Sequence, residues 1–253
     1  MSGIGFKEIR ASMHEAKLAS DRRNFWVWIA MRPLSFPLTW LALQLRLSPN
    51  FVTGLYFLAN IAAAVFFITA SYEGMIYGAL LYNLGLVLDC VDGNMARTTG
   101  KTSPLGWFLD TLGADFFYGV FFIPIGIGVA LSANSSRFIE EPLWFVVLGS
   151  SATVSILLYR ISRMRLHLAS LQLNKPKDSE RSNNAFPQGI RKTILVVYNN
   201  VMTAGGSMLP LIIAAAIFEL VDIFILGYGL VAPLVITIVI AYHTIRFVKA
   251  SAK

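Results

Sequence analysis

Long apolar stretches separated by short polar connections dominate the chain. Six of these stretches are each long enough, at about 1.5 Å per residue, to cross a bilayer as an α-helix. They occupy residues 50–71, 74–95, 104–132, 142–162, 192–218 and 223–245. The pattern predicts an all-α, polytopic membrane protein with six transmembrane helices.

The N-terminal region has a different pattern. Residues 4–22 place Phe6, Ile9, Met13 and Ala16 at helical spacing, with charged residues between them. This arrangement predicts an amphipathic helix that lies on the membrane interface.

Two prolines, Pro33 and Pro37, are expected to break the next stretch of the chain, and Ser48 is expected to cap the first span. The chain therefore divides into an N-terminal cytoplasmic or interfacial segment, residues 1–48, and a six-helix membrane domain, residues 49–253. No internal repeat indicates a further domain.

Composition supports the membrane prediction. Hydrophobic residues make up 56% of the 253 residues and charged residues 14%, and the mean hydropathy is +0.63. Soluble domains average about 25% charged residues, so the excess apolar surface requires lipid. The single cysteine, Cys90, excludes an internal disulfide.

The net charge of +7 suggests a nucleic-acid partner until its distribution is considered. Of the 21 lysines and arginines, all but Arg137 flank the predicted spans on one side of the membrane. The positive-inside bias then predicts that both termini are cytoplasmic. A nucleic-acid interface would instead group basic residues with aromatic residues on a folded soluble face, so we expect no nucleic-acid partner.

Carboxylates inside apolar spans are costly and therefore indicate function. Asp89 and Asp92 share one helical face near the end of the second span. Asp110 lies about 10 Å into the third span, which begins at Ser103 and Pro104. A short loop joins these antiparallel helices, so the three carboxylates can converge. Their oxygen ligands favour a hard divalent cation, Mg²⁺ or Mn²⁺.

Small and basic residues accompany these carboxylates. Gly93 and Ala96 leave room for a ligand to approach the helix backbone, and Arg97 supplies a planar fork for phosphate oxygens. A metal and a phosphate site at the cytoplasmic face predict phosphoryl chemistry on a nucleotide-linked donor and a lipid.

The spacing D-x2-D-G-x2-A-R-x8-G-x3-D is formed by Asp89, Asp92, Gly93, Ala96, Arg97, Gly106 and Asp110. It resembles the signature of the CDP-alcohol phosphotransferases, which make phospholipids by displacing CMP. The entry to the first span and the six-helix plan are also similar to this family.

The resemblance implies roles for these positions. Asp89, Asp92 and Asp110 are expected to bind a pair of Mg²⁺ or Mn²⁺ ions. The cytidine diphosphate pocket is expected to comprise Gly93, Ala96 and Arg97, with Ser103 and Gly106 nearby. The resemblance also implies a homodimer. The distribution of basic residues predicts that the active site lies at the cytoplasmic face.

Family frequency favours CDP-diacylglycerol as the donor, which means transfer of a phosphatidyl group to a hydroxyl acceptor. Head-group transfer from a soluble CDP-alcohol to a lipid alcohol is the alternative. The signature does not distinguish these two reactions.

One position departs from the family pattern, which ends in D-x3-D with a carboxylate that takes the hydroxyl proton. The fourth residue after Asp110 is Ala114, and Asp115 comes one position later. On a regular helix Ala114 lies about 40° from Asp110, whereas Asp115 lies about 140° away. Either a π-bulge returns Asp115 to the site as the catalytic base, or the fourth carboxylate is absent.

Further polar residues are candidates for substrate binding. Arg160 and Arg163 end the fourth span, where they either bind an acidic acceptor or anchor the helix at the headgroups. Asn199 lies in the fifth span and either reaches the acceptor or hydrogen-bonds between helices.

Three alternatives compete with an active transferase. An intramembrane prenyltransferase also gathers aspartates around Mg²⁺, but its paired D-x3-D pattern is missing. A membrane cation transporter needs the aspartates but not the glycine, alanine and arginine at these spacings. A catalytically weak family member is the third alternative. If Asp115 faces away from the site, we expect a site that holds fewer metals, uses another base or is catalytically weak.

Overall fold

The computed structural model describes residues 5–132, 139–172 and 200–251. Near the N-terminus, short helices α1 (Phe6–Ala11) and α2 (Glu15–Asp21) precede a π-helical turn at Val27–Met31 and helix α3 (Arg32–Gln44). The remaining elements are α4 (Pro49–Ile68), α5 (Tyr72–Thr99), α6 (Pro104–Leu131), α7 (Leu143–Gln172), a π-helical turn at Ala204–Met208, α8 (Leu209–Ile217) and α9 (Val221–Ser251).

Serine caps define the starts of three long helices. The hydroxyls of Ser48, Ser71 and Ser103 each accept a backbone N–H from three residues further along α4, α5 and α6. The predicted starts of the first and third spans are therefore confirmed. Helix α5 ends at Gly100, whose φ of 67° lies in the left-handed region that favours glycine.

Five helices of the described part, α4 to α7 and α9, are long and apolar enough to cross a membrane. The protein is therefore a multi-pass, all-helical membrane protein. The prediction of a sixth span at 192–218 is not confirmed. Residues 192–199 lie outside the described part, and the chain beyond them forms a shorter apolar helix at Ala204–Ile217. Thr203 is extended (φ −120°, ψ 151°), and this geometry separates that helix from Asn200.

The predicted amphipathic helix over residues 4–22 is not confirmed as one element. It is divided into α1 and α2, and the connection lies between them at residues 12–14. Ile9 and Met13, which were expected to face the membrane interface, are 0% and 7% exposed, and α1 packs on α3 and α5. Ile9 of α1 therefore packs against protein, whereas Phe6 on the same helix is 49% exposed.

Helix α3 contradicts the prediction that Pro33 and Pro37 break the chain. Pro33 lies in the first turn, where a helix does not use its backbone N–H. Pro37 lies inside the helix and forfeits one backbone hydrogen bond. The buried hydroxyls of Ser35 and Thr39 donate to backbone carbonyl oxygens of this helix at 2.8 and 2.7 Å.

The polar side of α3 faces inward. Ser35 and Thr39 are buried against α5, whereas Leu34, Leu41 and Leu45 are exposed. An outward apolar face and an inward polar face suit a helix with lipid on one side and a polar network on the other.

Helices α6 and α7 approach each other at glycines. A Cβ atom at Gly126 would lie 2.3 Å from the carbonyl oxygen of Phe145, and one at Gly149 would lie 2.5 Å from that of Phe122. The two backbones are therefore in direct contact, as small residues allow between membrane helices. This crossing brings the C-terminal half of α7 beside the first half of α6.

We expect Gly126→Ala to destabilise the protein by about 1–3 kcal/mol, because the added methyl group forces the α6 and α7 backbones apart. Thermal unfolding of the purified protein in detergent measures this change. Gly119→Ala is the matched control, since it lies in the same helix and a Cβ there meets no atom within 4 Å. Equal melting temperatures for the two variants would contradict the close crossing.

Candidate active site

A cavity of about 280 Å³ opens where the N-terminal segment, α5, α6 and α7 meet. Ligand pockets start at roughly this size. Its lining includes Lys17, Asp21, Asn24, Arg32, Asp89, Gly93, Arg97, Asp110, Ala114, Tyr118, Arg160, Thr203 and Gly205. Four of the seven signature residues, Asp89, Gly93, Arg97 and Asp110, therefore share one cavity.

Asp89 of α5 and Asp110 of α6 form the anionic side of the cavity. Both carboxylates line it, and neither makes a hydrogen bond or an ion pair with another residue in the described part of the chain. Their charges are near enough to repel each other. Of the three carboxylates that were predicted to converge, Asp89 and Asp110 line the same cavity.

Asp92 is buried behind this surface and is 9% exposed. Its Oδ2 accepts a hydrogen bond from the Thr53 hydroxyl of α4 at 2.6 Å. Its charge interacts with Asp89 and Asp110, but the residue is not part of the cavity lining. Asp92 is therefore close to the other two carboxylates but lies outside the cavity lining.

These carboxylates fit a divalent cation in their chemistry, because Asp89 and Asp110 offer unpaired oxygen ligands in a region of concentrated negative charge. Their arrangement is not that of an assembled site. Among the described residues, no group of three or more His, Cys, Asp or Glu side chains is placed so that it could hold a metal ion.

Arg97 of α5 forms part of the cationic side. Its Nη2 donates to Asn94 Oδ1 at 2.9 Å, and its Nη1 and Nη2 lie 3.2 Å from the Cβ position of Gly93. The glycine therefore leaves room for the guanidinium to fold back along the helix. The buried Nε of Arg97 has no hydrogen-bond partner in the described residues.

The N-terminal segment completes the cationic side with Lys17 and Arg32, for which the charge pattern along the chain indicated only a role in membrane topology. Arg32 is 3% exposed, and its Nε donates to Asp21 Oδ2 at 2.8 Å. Lys17 Nζ lies 3.4 Å from the same carboxylate. The sequence does contain a signal for a functional role of Arg32. It is the one charged residue in the apolar run 25–43, and a charge in such a run is costly.

Asp115 does not line the cavity, whereas Ala114 does. Helix α6 is α-helical throughout Pro104–Leu131, all of which is described, so it contains no π-bulge that would rotate Asp115 inward. The Asp115 carboxylate instead accepts a hydrogen bond from Arg160 Nε of α7. The cavity wall at the fourth signature position is therefore a methyl group.

Arg160 lines the cavity and lies over the Tyr118 ring, with Cζ 5.5 Å from the ring centroid. It is thus held by an anion on one side and an aromatic face on the other. Arg163 is exposed and lies over the Tyr159 ring, away from the cavity lining.

The remaining predicted positions fall outside the lining. Ala96 is half-buried on α5, and Ser103 and Gly106 form the exposed N-terminal cap of α6. Asn199 lies outside the described residues, so its predicted contact with the acceptor stays a prediction.

Contacts between the N-terminal segment and the chain around the second π-helical turn (Ala204–Met208) close another side of the cavity. Asn200 Oδ1 accepts from the Phe25 backbone N–H at 3.1 Å. Gly205 lies against Asn24 and Val27, where a Cβ would approach Val27 Cγ2 to 2.9 Å. Residues far apart in the sequence therefore enclose the signature helices.

Comparison with known proteins identifies related chains. Residues 46–185, more than half of the chain, match the family model of the CDP-alcohol phosphatidyltransferases. The match contains the whole signature from Asp89 to Asp110.

Three curated relatives share parts of the sequence. A bifunctional IPC transferase and DIPP synthase of Thermococcus kodakarensis is 30% identical over 102 residues, 40% of this chain and 21% of the relative. An archaetidylinositol phosphate synthase of Aeropyrum pernix is 45% identical over 67 residues, 26% of this chain and 34% of the relative. Human cholinephosphotransferase 1 is 33% identical over 123 residues, 45% of this chain and 29% of the relative.

The aligned regions thus span no more than 34% of each relative's own length. The family match, by contrast, covers α4 to α7, which carry the carboxylates, Arg97 and Arg160. Members of the matched family transfer phosphate-linked alcohol groups from CDP-alcohols in phospholipid synthesis. On this match and the shared cavity, the chain belongs to the CDP-alcohol phosphatidyltransferase family.

Proposed function

We propose that this protein transfers a phosphate-linked alcohol group from a CDP-alcohol donor to a hydroxyl acceptor and releases CMP. The observation that carries the proposal is the cavity that joins Asp89 and Asp110 to Arg97. Unpaired carboxylates on one side and a guanidinium on the other suit a diphosphate bound together with its counter-cation.

The donor diphosphate lies between these two sides. Arg97 contacts its oxygens, and Gly93 gives the nucleotide room beside α5. The acceptor hydroxyl oxygen forms a bond to the β-phosphorus, its proton passes to solvent water in the cavity, and the bond from that phosphorus to the CMP oxygen breaks. The leaving CMP carries away the negative charge that develops on that oxygen.

Asp89 and Asp110 would hold Mg²⁺ or Mn²⁺ at the cavity wall, and Asp92, which Thr53 holds outside the lining, would add negative charge to the site. Two such ions would neutralise the diphosphate and stabilise the leaving group. Since the carboxylates are not preassembled, we expect binding of the cation to draw them together and to stiffen the α5–α6 pair.

Proton removal is where this chain departs from its family. Ala114 occupies the wall position at which the family pattern has its fourth carboxylate, and Asp115 pairs with Arg160. We propose that the chain binds its donor firmly and turns over slowly, because Asp115 holds Arg160 in the cavity lining and does not itself accept the hydroxyl proton. The methyl group of Ala114 at this wall position favours a catalytically weak family member. The presence of Arg97 in the cavity argues against a cation transporter, which has no use for a guanidinium there.

CDP-diacylglycerol is the donor that we propose first, with phosphatidyl transfer to the acceptor. The apolar, exposed faces of the spanning helices would then keep the diacylglycerol part in lipid. Transfer from a soluble CDP-alcohol to a lipid alcohol is the second candidate, because one relative bears the name cholinephosphotransferase. Arg160, which lines the cavity, would face an anionic acceptor.

Two further features belong to the proposal. The excess of basic residues at one set of connections supports cytoplasmic termini and a cytoplasmic cavity. Membership in the family supports a homodimer, which cross-linking in native membranes would detect.

We expect the purified full chain with Mg²⁺ or Mn²⁺ to release CMP from CDP-diacylglycerol when unfractionated polar alcohols are supplied. Mass spectrometry of the lipid product identifies both the acceptor and the side of the reaction that carries the lipid. Absence of CMP across a panel that includes CDP-diacylglycerol and soluble CDP-alcohols would contradict the transferase function.

We expect Asp110→Asn to weaken Mn²⁺ binding by roughly tenfold or more, since even outer-sphere partners of metal ligands contribute that much. Manganese paramagnetic resonance and the Mn²⁺-induced rise in melting temperature both measure this without turnover. Glu73→Gln is the control, because it removes an exposed carboxylate from the opposite end of α5. Equal Mn²⁺ affinity in wild type and Asp110→Asn would rule out the metal role.

We expect Ala114→Asp to raise the rate of CMP release by about tenfold or more, because a positioned general base contributes roughly 10²–10⁴-fold. The change places a carboxylate on the cavity wall beside Asp110. Asp115→Glu serves as the comparison, since it keeps a carboxylate beside Arg160. A lower rate in Ala114→Asp than in wild type would show that the fourth carboxylate is not what limits turnover.

A further inference from the structure

A buried polar network connects the N-terminal segment to the signature helix α5. Its members are Asp21, Arg32 and Asn94, which are 2%, 3% and 0% exposed, and Arg97 at its cavity end. Arg32 and Asp21 also line the cavity, so the network reaches from the protein interior to the proposed donor site.

Asn94 is the centre of this network. Its Oδ1 accepts from Arg32 Nη1 and from Arg97 Nη2, each at 2.9 Å. Its Nδ2 donates to Ser35 Oγ at 3.0 Å and to Thr39 Oγ1 at 3.2 Å. Every polar group of the amide is thus engaged, and its orientation is determined by the hydrogen bonds on both sides.

The shared oxygen holds two positive charges close together. Asp21 neutralises Arg32 through the 2.8 Å contact to Nε, whereas Arg97 has no carboxylate partner among the described residues. Buried like charges are unfavourable unless an anion compensates them. A network that served only to attach the N-terminal segment would not need the second guanidinium.

Both guanidiniums keep donors for a ligand. Arg32 lines the cavity and uses Nε and Nη1, which leaves Nη2 without a hydrogen bond in the described residues. Arg97 uses Nη2 alone, which leaves Nη1 without a hydrogen bond in the same part of the chain, while its buried Nε is unpartnered there. Both arginines bond to the same oxygen atom of Asn94 and both line the cavity, so their guanidiniums are neighbours there.

We propose that Arg32 and Arg97 form a paired-arginine clamp for the phosphate groups of the donor nucleotide, and that Asn94 positions both. Arg32 is a binding residue contributed by the N-terminal segment, and Asp21 keeps its guanidinium plane in place. The clamp rests on the proposed function, because a CDP-linked donor supplies the phosphate. It adds a site outside the family signature, which begins at Asp89.

The clamp predicts a selective loss in Arg32→Lys. Lysine keeps the charge and the contact to Asp21 but cannot also reach Asn94 and a phosphate, because it lacks the planar fork. At constant saturating Mn²⁺, CDP affinity of the purified full chain should fall by about tenfold, as expected for one charge-assisted hydrogen bond. Cytidine, which lacks the phosphates, should bind with unchanged affinity.

Asn94→Asp provides a second, nearly isosteric test. The new carboxylate still accepts from both arginines but cancels one positive charge. The affinity for CDP should therefore again fall by roughly tenfold relative to the affinity for cytidine. Isothermal titration calorimetry measures both ligands, and thermal unfolding establishes that each variant is folded. If Arg32→Lys does not fold, Asn94→Asp carries the test.

Thr98→Val is the matched control. It removes the Ser12–Thr98 hydroxyl contact of 3.1 Å, which also joins the N-terminal segment to α5 but lies outside the cavity lining. The ratio of its CDP affinity to its cytidine affinity should equal that of wild type.

The outcomes separate the clamp from the reaction. If wild type releases CMP but a folded Arg32→Lys or Asn94→Asp retains the wild-type CDP-to-cytidine ratio, the network is only structural and the clamp is wrong. A parallel loss of CDP and cytidine affinity would also overturn it, because the effect would not depend on phosphate. Wild-type protein that binds CDP no better than cytidine would overturn both the clamp and the proposed function.

Discussion

The site depends on one constraint, which is that charged side chains must be kept inside an apolar helical bundle. Isolated carboxylates and guanidiniums are costly there unless counter-charges, hydrogen bonds or water surround them. The protein meets this requirement with a cavity whose anionic side is Asp89 and Asp110 and whose cationic side is Arg97 and Arg32. The two sides attract each other across the cavity, and a diphosphate with its cations would complement both.

Packing between the helices brings these charged side chains together. The glycine contacts between α6 and α7 bring Arg160 to Asp115, while the Tyr56 hydroxyl, which donates to the Gly113 carbonyl oxygen at 2.6 Å, joins α4 to α6. Because Asp115 lies on the α7 side of a regular helix, it serves an ion pair, and the cavity side is left to Ala114. The offset of one residue between Ala114 and Asp115 therefore decides that the carboxylate pairs with Arg160 and does not line the cavity.

Much of the fold can be predicted from periodicity and caps, but not the N-terminal segment. Apolar length predicts the spans at α4, α5, α6, α7 and α9, because lipid demands long apolar helices with all backbone groups paired. Apolar spacing cannot tell whether Ile9 will contact lipid or protein, since both environments exclude water. Pro37 is tolerated in α3 because tertiary packing and the polar network compensate for one lost hydrogen bond.

The sequence by itself determined the membrane class, the family and the carboxylates, since these depend on local composition and on spacing within two adjacent helices. Only the tertiary structure decided that Asp115 faces Arg160, that Asp92 lies behind the cavity wall against Thr53, and that Arg32 joins Arg97 through Asn94. The hydrogen bonds that make these assignments between helices connect residues 39 to 62 positions apart. Helical spacing carries no information about which partner a neighbouring helix presents, so packing geometry alone assigns them.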